Sequence, residues 1–217
     1  KNNKIFKLSS LCALNGFPIE KAHTSRDDTL GLKNLTEHLY KQDSELFNKN
    51  LQFLNKANVL PYVKSLKYFY TTETFFGKTR QFACCFLTEH SVYQGYILSF
   101  DLKNNPEEIF TASSNQELQK ILFATPVKMR TIKSGRIPLI LKPDEKWVLN
   151  IQDEYSAIGH ETLSSRADYI IKNREEIASR IDIILKDKLA EKDLDQTKLL
   201  PEQKIFVLKP NKQKQNL

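Results

Sequence analysis

A chain of 217 residues, of which 40% are hydrophobic, is long enough to enclose one large core or two small ones. Its three cysteines have no disulfide or zinc-site spacing, and no apolar run approaches the ~20 residues that a membrane span needs. The net charge of +7 favours acidic partners, nucleic acid first. We therefore expect a reduced, cytoplasmic, monomeric protein that does not enter a membrane. Because the chain does not begin with Met, we also expect a fragment or a processed piece.

The first quarter of the chain carries three helical patterns. One covers residues 6–14 and ends at Gly16. A second covers residues 24–42, and a third follows the capping pair Asp43-Ser44. The periodicity of the second pattern predicts a buried apolar side made of Leu30, Leu32, Leu35 and Leu39.

The pattern changes at Pro61 to aromatic and β-branched runs that are typical of strands. These runs predict a small β-rich unit over residues 61–142, plausibly a barrel. Its elements are strands within 66–76, 82–87 and 96–102, a short helix over 114–123, and a hairpin around Ser134-Gly135-Arg136. A long amphipathic helix is predicted over residues 164–190, and the polar, lysine-rich remainder is predicted to be a linker or a disordered end.

The stretch KAHTSRDDTLG, residues 21–31, combines a histidine with an aspartate five residues later. His23 and Asp28 converge only if His23 lies at or before the start of the second helix, with Thr24 or Ser25 as its N-cap. A neutral histidine there suits a general base, and Asp28 is the kind of oxygen ligand that Mg²⁺ takes. The alternative is that Asp27 and Asp28 only complement the helix dipole and that His23 is an ordinary loop residue.

The residues around this pair carry a family resemblance. Residues 6–28 read FKLSSLCALNGFPIEKAHTSRDD, and the frame F-K-L…N-G, then A-H, then D five residues after the histidine, strongly resembles the exonuclease I family. Residues 65–80 and 125–140 resemble two later segments of that family, with Lys133 standing where an asparagine is usual. Exonuclease I enzymes are bacterial 3′→5′ single-strand-specific DNA exonucleases of the DEDDh superfamily. The resemblance covers residues 1 to about 185.

The resemblance implies an α+β fold with three parts. Residues 1–43 would be the terminal helices of an RNase H-like exonuclease domain. Residues 44–190 would form an SH3-like β-barrel with flanking helices, and residues 191–217 a polar tail. Asp28 would be the last of four acidic ligands of a two-metal Mg²⁺ site, and His23 the general base. The reaction would release nucleoside 5′-monophosphates.

The other three acidic ligands of that family are not supplied by this sequence. Nothing before His23 offers a D-x-E strand, and Asp43-Ser44-Glu45 has the spacing but reads as a helix cap. We therefore expect the chain to be the C-terminal portion of an exonuclease I-like enzyme, with an incomplete metal site and no activity alone.

Basic residues of the β-rich unit are candidates for binding single-stranded DNA or a partner, because cations contact phosphates and aromatic faces stack bases. These candidates are Lys67, Lys78, Arg80, Lys128 and Arg136. By the resemblance, Lys67 would receive the acidic C-terminal tail of single-stranded DNA-binding protein. The alternatives are a non-catalytic module that binds single-stranded DNA or that tail, and an interaction domain unrelated to DNA. Half of the aromatics in 66–76 would then be packing residues, and the lysines would be solvated strand charges.

Overall fold

The computed structural model describes residues 7–19, 24–75, 78–123, 125–148 and 155–197 of the chain. Within them it is a mixed α+β protein with helices on both sides of one antiparallel sheet. The helices are α1 (Leu8–Leu14), α2 (Ser25–Gln42), α3 (Ser44–Leu51), α4 (Val59–Ser65), α5 (Glu107–Phe110), α6 (Asn115–Phe123), α7 (Tyr155–Ile158) and α8 (His160–Thr197). Short 3₁₀ turns lie at Gln52–Leu54, Lys56–Asn58 and Ser134–Arg136.

The sheet contains β1 (Phe69–Phe75), β2 (Lys78–Glu89), β3 (Tyr96–Asp101), β4 (Met129–Lys133) and β5 (Ile140–Leu141). Its strand order is β4-β3-β2-β1-β5, so consecutive strands β4 and β5 lie at opposite edges. The register places Tyr70 opposite Ala83 and Cys84 opposite Asp101. A register shift in the β2–β3 pair lies between Phe86 and Thr88.

The sheet is covered on both faces, which explains why β2 is apolar at successive positions. Alternate residues Phe82, Cys84 and Phe86 pack with Phe53, Val59 and Val63 from the 52–54 turn and α4. The intervening residues Ala83, Cys85 and Leu87 belong to a larger cluster on the opposite face, which includes residues of α5, α6 and α8. The neighbouring cysteines therefore point to opposite faces, as the two-residue period of a strand predicts.

A buried polar network crosses the sheet. Asp101 is 2% exposed, and its carboxylate accepts hydrogen bonds from the Tyr155 hydroxyl at 2.5 Å and from the Lys103 amide at 3.1 Å. Arg130 donates to the same carboxylate at 3.3 Å, and its guanidinium lies 3.6 Å from the centroid of the Phe82 ring. The network connects α7, β3 and β4, because Asp101 of β3 accepts hydrogen bonds from Tyr155 of α7 and Arg130 of β4.

Several sequence expectations are confirmed. The helices predicted over 24–42 and after Asp43, and the short helix predicted over 114–123, correspond to α2, α3 and α6. Gly16 ends the α1 turn with a φ of +85°. The α8 helix covers the predicted 164–190 and continues to Thr197, further than the decay of the apolar pattern suggested. The rest of the predicted polar tail lies outside the described residues.

Two expectations about the β-rich unit are not met. The predicted hairpin is wrong, because β4 pairs with β3 while β5 pairs with β1. The 134–136 turn and a left-handed Ile137 (φ 47°) redirect the chain to the far edge of the sheet. The SH3-like barrel is not confirmed, since the five described strands form an open sheet in which β4 and β5 do not pair.

The predicted burial of the α2 leucines is also wrong. Leu30, Leu32 and Leu39 are between 46% and 56% exposed, although they recur with helical spacing. The buried contact of α2 is made instead at Gly31, where an added Cβ would lie 2.5 Å from Ile19 Cδ1 and 3.3 Å from Cys12 Sγ. The helix therefore packs closely on α1 through a glycine, while Leu30, Leu32 and Leu39 are left at the surface and Leu35 is half-buried.

Candidate functional site

The start of α2 lies where the His23–Asp28 hypothesis expects the helix to begin. Thr24 is the N-cap, and its side-chain oxygen accepts a hydrogen bond from the Asp27 amide at 3.2 Å. Asp28 lies in the first turn of the helix and is half-buried. His23 is the residue immediately before the cap in sequence, but it lies outside the described residues. Its role as a general base stays a prediction.

Asp28 shares one helix face with three leucines, of which Leu32 and Leu39 are exposed and Leu35 is half-buried. Leu32, Leu35 and Leu39 follow it by four, seven and eleven residues. These spacings place all three within about 40° of the direction of Asp28 at 3.6 residues per turn. The candidate metal ligand therefore stands at one end of an apolar stripe on α2, which we call the leucine stripe.

Asp28 does not belong to a metal-binding cluster in the described part of the chain. Groups of three or more His, Cys, Asp or Glu side chains arranged to hold a metal ion are not found among those residues. The second acidic motif is a cap, as the sequence indicated: Asp43 accepts a hydrogen bond from the Leu46 amide at 2.9 Å. Asp43 also accepts one from Trp147 Nε1 at 2.5 Å. Both hydrogen bonds lower the pKa of its carboxyl group, and the bond from the Leu46 amide has the larger effect.

The buried cysteines of β2 are poor candidates for a nucleophile. Burial raises the pKa of Cys84 well above its usual range and that of Cys85 to about 12. A thiol with such a pKa is protonated near neutral pH, and thiolate is the reactive form. Cys84 and Cys85 therefore act as small core residues.

The basic candidates come from separate segments of the chain and have different neighbours. Lys67 is 43% exposed, and its ammonium lies 2.7 Å from the Asp168 carboxylate on α8. Lys128 is paired with Glu108, while Arg80 is exposed on β2 opposite Glu73. The side chain of Lys78 lies outside the described residues. The binding roles of all four stay predictions.

Arg136 is the basic candidate that lines a cleft. The cleft has a volume of about 780 Å³ and lies between the 56–58 turn, the β2–β3 turn and the connection from β4 to β5. Lys56 and Lys133 line it together with Arg136. The sequence analysis missed Lys56 because it is 80 residues from Arg136, and only the folded chain brings them to one cavity.

The aromatic residues expected to stack bases are core residues where they are described. Tyr68, Phe69 and Tyr70 are all less than 10% exposed. Tyr68 also shares a hydrogen bond of 2.6 Å with His160 Nδ1, and burial raises its pKa to about 12. A different aromatic group, His90, Tyr93 and Tyr96, surrounds the β2–β3 turn. The signal for it in the sequence is the tyrosine pair flanking Gly95 in YQGY.

The described chain thus defines an α+β protein whose sheet is enclosed by helices, with a candidate metal ligand on α2 and a cationic cleft at the β2–β3 turn. No protein-family model and no curated protein sequence matches it. Membrane-spanning candidates are likewise not found: none of the described helices is both long and apolar enough to cross a bilayer.

Solved structures that are similar in fold to this chain include exonuclease I enzymes. Escherichia coli exonuclease I in complex with a dA16 oligonucleotide is 16% identical with a TM-score of 0.60, over 84% of this chain and 41% of that chain. A moderately thermophilic exonuclease I from Methylocaldum szegediense is also 16% identical, with a TM-score of 0.62 over 84% and 41%. The ExoI/SSB-Ct complex is 15% identical, with a TM-score of 0.59 over 84% and 40%.

These likenesses confirm, at the level of the fold, the resemblance to exonuclease I. They also show that the chain spans about two fifths of the length of the structures it matches. The chain is therefore similar in fold to one portion of such an enzyme.

Proposed function

We propose that this chain is the C-terminal portion of a metal-dependent 3′→5′ exonuclease that releases nucleoside 5′-monophosphates from single-stranded DNA. The observation that carries the proposal is the start of α2, in a fold similar to that of exonuclease I. The cap at Thr24 supports the proposal, because Asp28 follows it in the first turn of the helix and His23 precedes it in sequence. A base and an oxygen ligand that converged there would serve one phosphate.

The residues present do not by themselves fit a two-metal site. Asp28 has the hard oxygen that Mg²⁺ takes, but one carboxylate cannot hold two such ions. We propose that the remaining acidic ligands come from a polypeptide surface that packs on the leucine stripe of α2. A surface that buries Leu32 and Leu39 would also approach Asp28, because all three lie on one helix face. His23 would take a proton from the attacking water.

A nuclease assay with 3′-labelled single-stranded oligonucleotides tests the proposal. The chain alone should release no mononucleotides, whereas the complete natural protein or assembly that contains it should release them from the 3′ end. In that complete protein or assembly, His23→Ala should slow release by about 10²- to 10⁴-fold, the usual contribution of a general base. Asp28→Asn should abolish release, and the neighbouring Asp27→Asn, which retains the helix cap, should leave it within about twofold. Equal rates for the wild type and His23→Ala would remove His23 from the mechanism.

A second candidate function is a non-catalytic module that binds single-stranded DNA or the acidic tail of single-stranded DNA-binding protein. The exposure of Lys67 and the SSB-Ct complex of a structure with this fold favour it. A peptide carboxylate at Lys67 would have to compete with Asp168, which already contacts the ammonium at 2.7 Å. Two results together would favour this module. The chain would bind the oligonucleotide or the tail peptide, and no natural assembly that contains the chain would show nuclease activity.

We also propose that residues 44–190 form an SH3-like unit behind the helices of residues 1–43. The strand order β4-β3-β2-β1-β5 and the 3₁₀ turn between β4 and β5 support this view. In such a unit the 134–136 turn lies at the end of the sheet, where it contributes to the cationic cleft.

A further inference from the structure

A single residue, Asp43, joins α2 to α3. It follows the last residue of α2 and precedes the first residue of α3, with a φ of −155° and a ψ of 86°. Its amide donates to the Leu39 carbonyl of α2 at 3.1 Å, and its carbonyl accepts a hydrogen bond from the Phe47 amide of α3 at 3.0 Å. Because peptide bonds are planar, the angle between the two helices depends on the two backbone dihedrals of this one residue.

The segment after β5 contacts this junction through three consecutive residues, 145–147. Trp147 donates from Nε1 to the Asp43 carboxylate at 2.5 Å. The two preceding residues form salt bridges with α3, which are Lys146 with Glu45 at 2.6 Å and Glu145 with Lys49 at 2.5 Å. The first of these pairs is exposed and contributes little, so the Trp147 bond and the half-buried second pair are the contacts that matter.

The 145–147 segment is itself fixed to the sheet. The Trp147 carbonyl accepts a hydrogen bond from Gln81 Nε2 of β2, the middle strand, at 3.1 Å. The Trp147 ring packs against the larger hydrophobic cluster of the sheet. The Val148 amide donates to the Glu145 carbonyl at 2.9 Å, which closes the segment into a turn. Trp147 therefore connects the middle strand of the sheet directly to the junction at Asp43.

The position of Asp28 depends on this junction. The buried residue of α2 is Gly31, which lies against α1, and at its end Tyr40 packs edge-on against Phe47 of α3 with ring centroids 5.7 Å apart. A route from α2 to the sheet therefore runs through α3. Asp28 precedes Asp43 by 15 residues, or about 22 Å along the helix, so a rotation of about 3° at the junction displaces it by about 1 Å.

We propose that Trp147 is a positioning residue for the proposed metal site at Asp28. Its hydrogen bond fixes the direction in which α2 leaves the junction, because the two oxygens of the Asp43 carboxylate are held by different groups. One oxygen accepts from the Leu46 amide of α3, and the other accepts from the indole anchored on the sheet. The inference rests on the proposed function, since the position of Asp28 affects a reaction only if Asp28 holds a metal ion.

Two substitutions break this bond and leave the helices in place. Asp43→Asn retains one side-chain oxygen to cap α3, and Asn caps a helix as well as Asp does, but that oxygen cannot also serve Trp147. Trp147→Phe removes the donor and keeps an apolar ring. Tyr68→Phe is the matched control, because it removes a 2.6 Å hydrogen bond between an aromatic side chain and His160, away from α2.

The distance between α2 and the sheet can be measured on this chain without any activity. Spin labels at Thr29→Cys on α2 and Thr131→Cys on β4 occupy exposed positions, whereas the native cysteines are buried. Double electron–electron resonance should give one narrow distance distribution for the otherwise native chain. Asp43→Asn and Trp147→Phe should each shift or widen it by about 2 Å, the displacement of a ~20 Å helix that turns by about 5°. Tyr68→Phe should leave it unchanged.

The second readout is the rate of mononucleotide release by the complete natural protein or assembly. Asp43→Asn and Trp147→Phe should each lower kcat by about 10- to 100-fold, because a displacement of about 1 Å at a reacting group can cost about 10²-fold. KM for the oligonucleotide should stay within about twofold, since neither residue would contact the substrate. Tyr68→Phe should leave kcat unchanged even where it lowers the melting temperature, which separates positioning from general stability.

The outcomes distinguish the role of Trp147 from the wider proposal. If the complete protein degrades single strands and the two variants match its kcat, the positioning role is wrong and the proposed function stands. Unchanged label distances in both variants would also overturn the role. So would a Tyr68→Phe variant that loses as much kcat as Trp147→Phe. If the complete protein releases no mononucleotides, the proposed function fails and the role of Trp147 in the reaction fails with it.

Discussion

The hydroxyl of Tyr155 should stabilise the fold, and Tyr155→Phe isolates its contribution. This hydroxyl is the 2.5 Å donor to Asp101, whose side chain is 3% exposed and cannot turn to water. The substitution removes one oxygen and leaves the ring in place, so it creates little cavity. Burial raises the pKa of Tyr155 above its ordinary value, so the hydroxyl is a neutral donor near neutral pH.

The expected loss of stability follows from the hydrogen bonds that Asp101 keeps in the Tyr155→Phe variant. One of its oxygens would retain the Lys103 amide at 3.1 Å, and the other would retain Arg130 at 3.3 Å. Hydrogen bonds to charged groups contribute about 1.5–3 kcal/mol each, and a buried carboxylate without its closest donor falls in that range. We therefore expect Tyr155→Phe to lower the free energy of unfolding by about 1.5–3 kcal/mol.

Urea denaturation followed by circular dichroism measures this change. Tyr40→Phe, at an exposed position of α2, should change the free energy of unfolding by no more than about 0.5 kcal/mol. The double variant Tyr155→Phe with Asp101→Asn should cost less than the sum of the two single changes, because both act on one hydrogen bond. A Tyr155→Phe protein as stable as the wild type, or strictly additive changes, would refute the view that this bond supports the buried carboxylate.

Two further predictions concern the leucine stripe and the β2–β3 turn. Leu32→Ala should cost no more than about 0.5 kcal/mol, because Leu32 is already 56% exposed, whereas Leu118→Ala, at a fully buried site, should cost about 2–5 kcal/mol in the same denaturation assay. Burial lowers the pKa of His90 below its ordinary value of about 6.5, so the unfolded chain takes up this proton first as the pH falls. The stability linked to His90 should be present above pH ~6.5 and decline below it in thermal unfolding, and His90→Asn should reduce that decline.

The helix starts of this protein are predictable from sequence because capping is local. Thr24 and Asp43 each accept a hydrogen bond from an amide three residues later, and that spacing is visible in the chain itself. The strand runs were likewise recognisable, since aromatic and β-branched residues suit a sheet covered on both faces. Local chemistry therefore predicted where most elements lie.

Which strands pair and which helix faces are buried depend on residues that are distant in sequence. The expectations about the β4–β5 hairpin and about the α2 leucines were wrong for this reason. A turn at Ser134-Gly135-Arg136 suggests that its flanking strands are partners, but Ile140 pairs with Thr71, far away in sequence. The cationic cleft has the same origin, because Lys56 and Arg136 meet only through the folded sheet. A sequence shows which side chains are cationic, but tertiary structure decides which of them share a cavity.

The exposed leucines of α2 and the proposed metal-ligand role of Asp28 would be two consequences of one arrangement. Apolar periodicity identifies the face of a helix that needs a partner, but it does not identify the partner. Leu32 and Leu39 are exposed within the described chain, and Asp28 on the same face needs further ligands to hold a metal ion. A single polypeptide surface that is apolar in its middle and acidic at one end would satisfy both requirements. Under the proposed function, the exposed stripe would therefore bear on activity, since the element that buries it would complete the proposed site at Asp28.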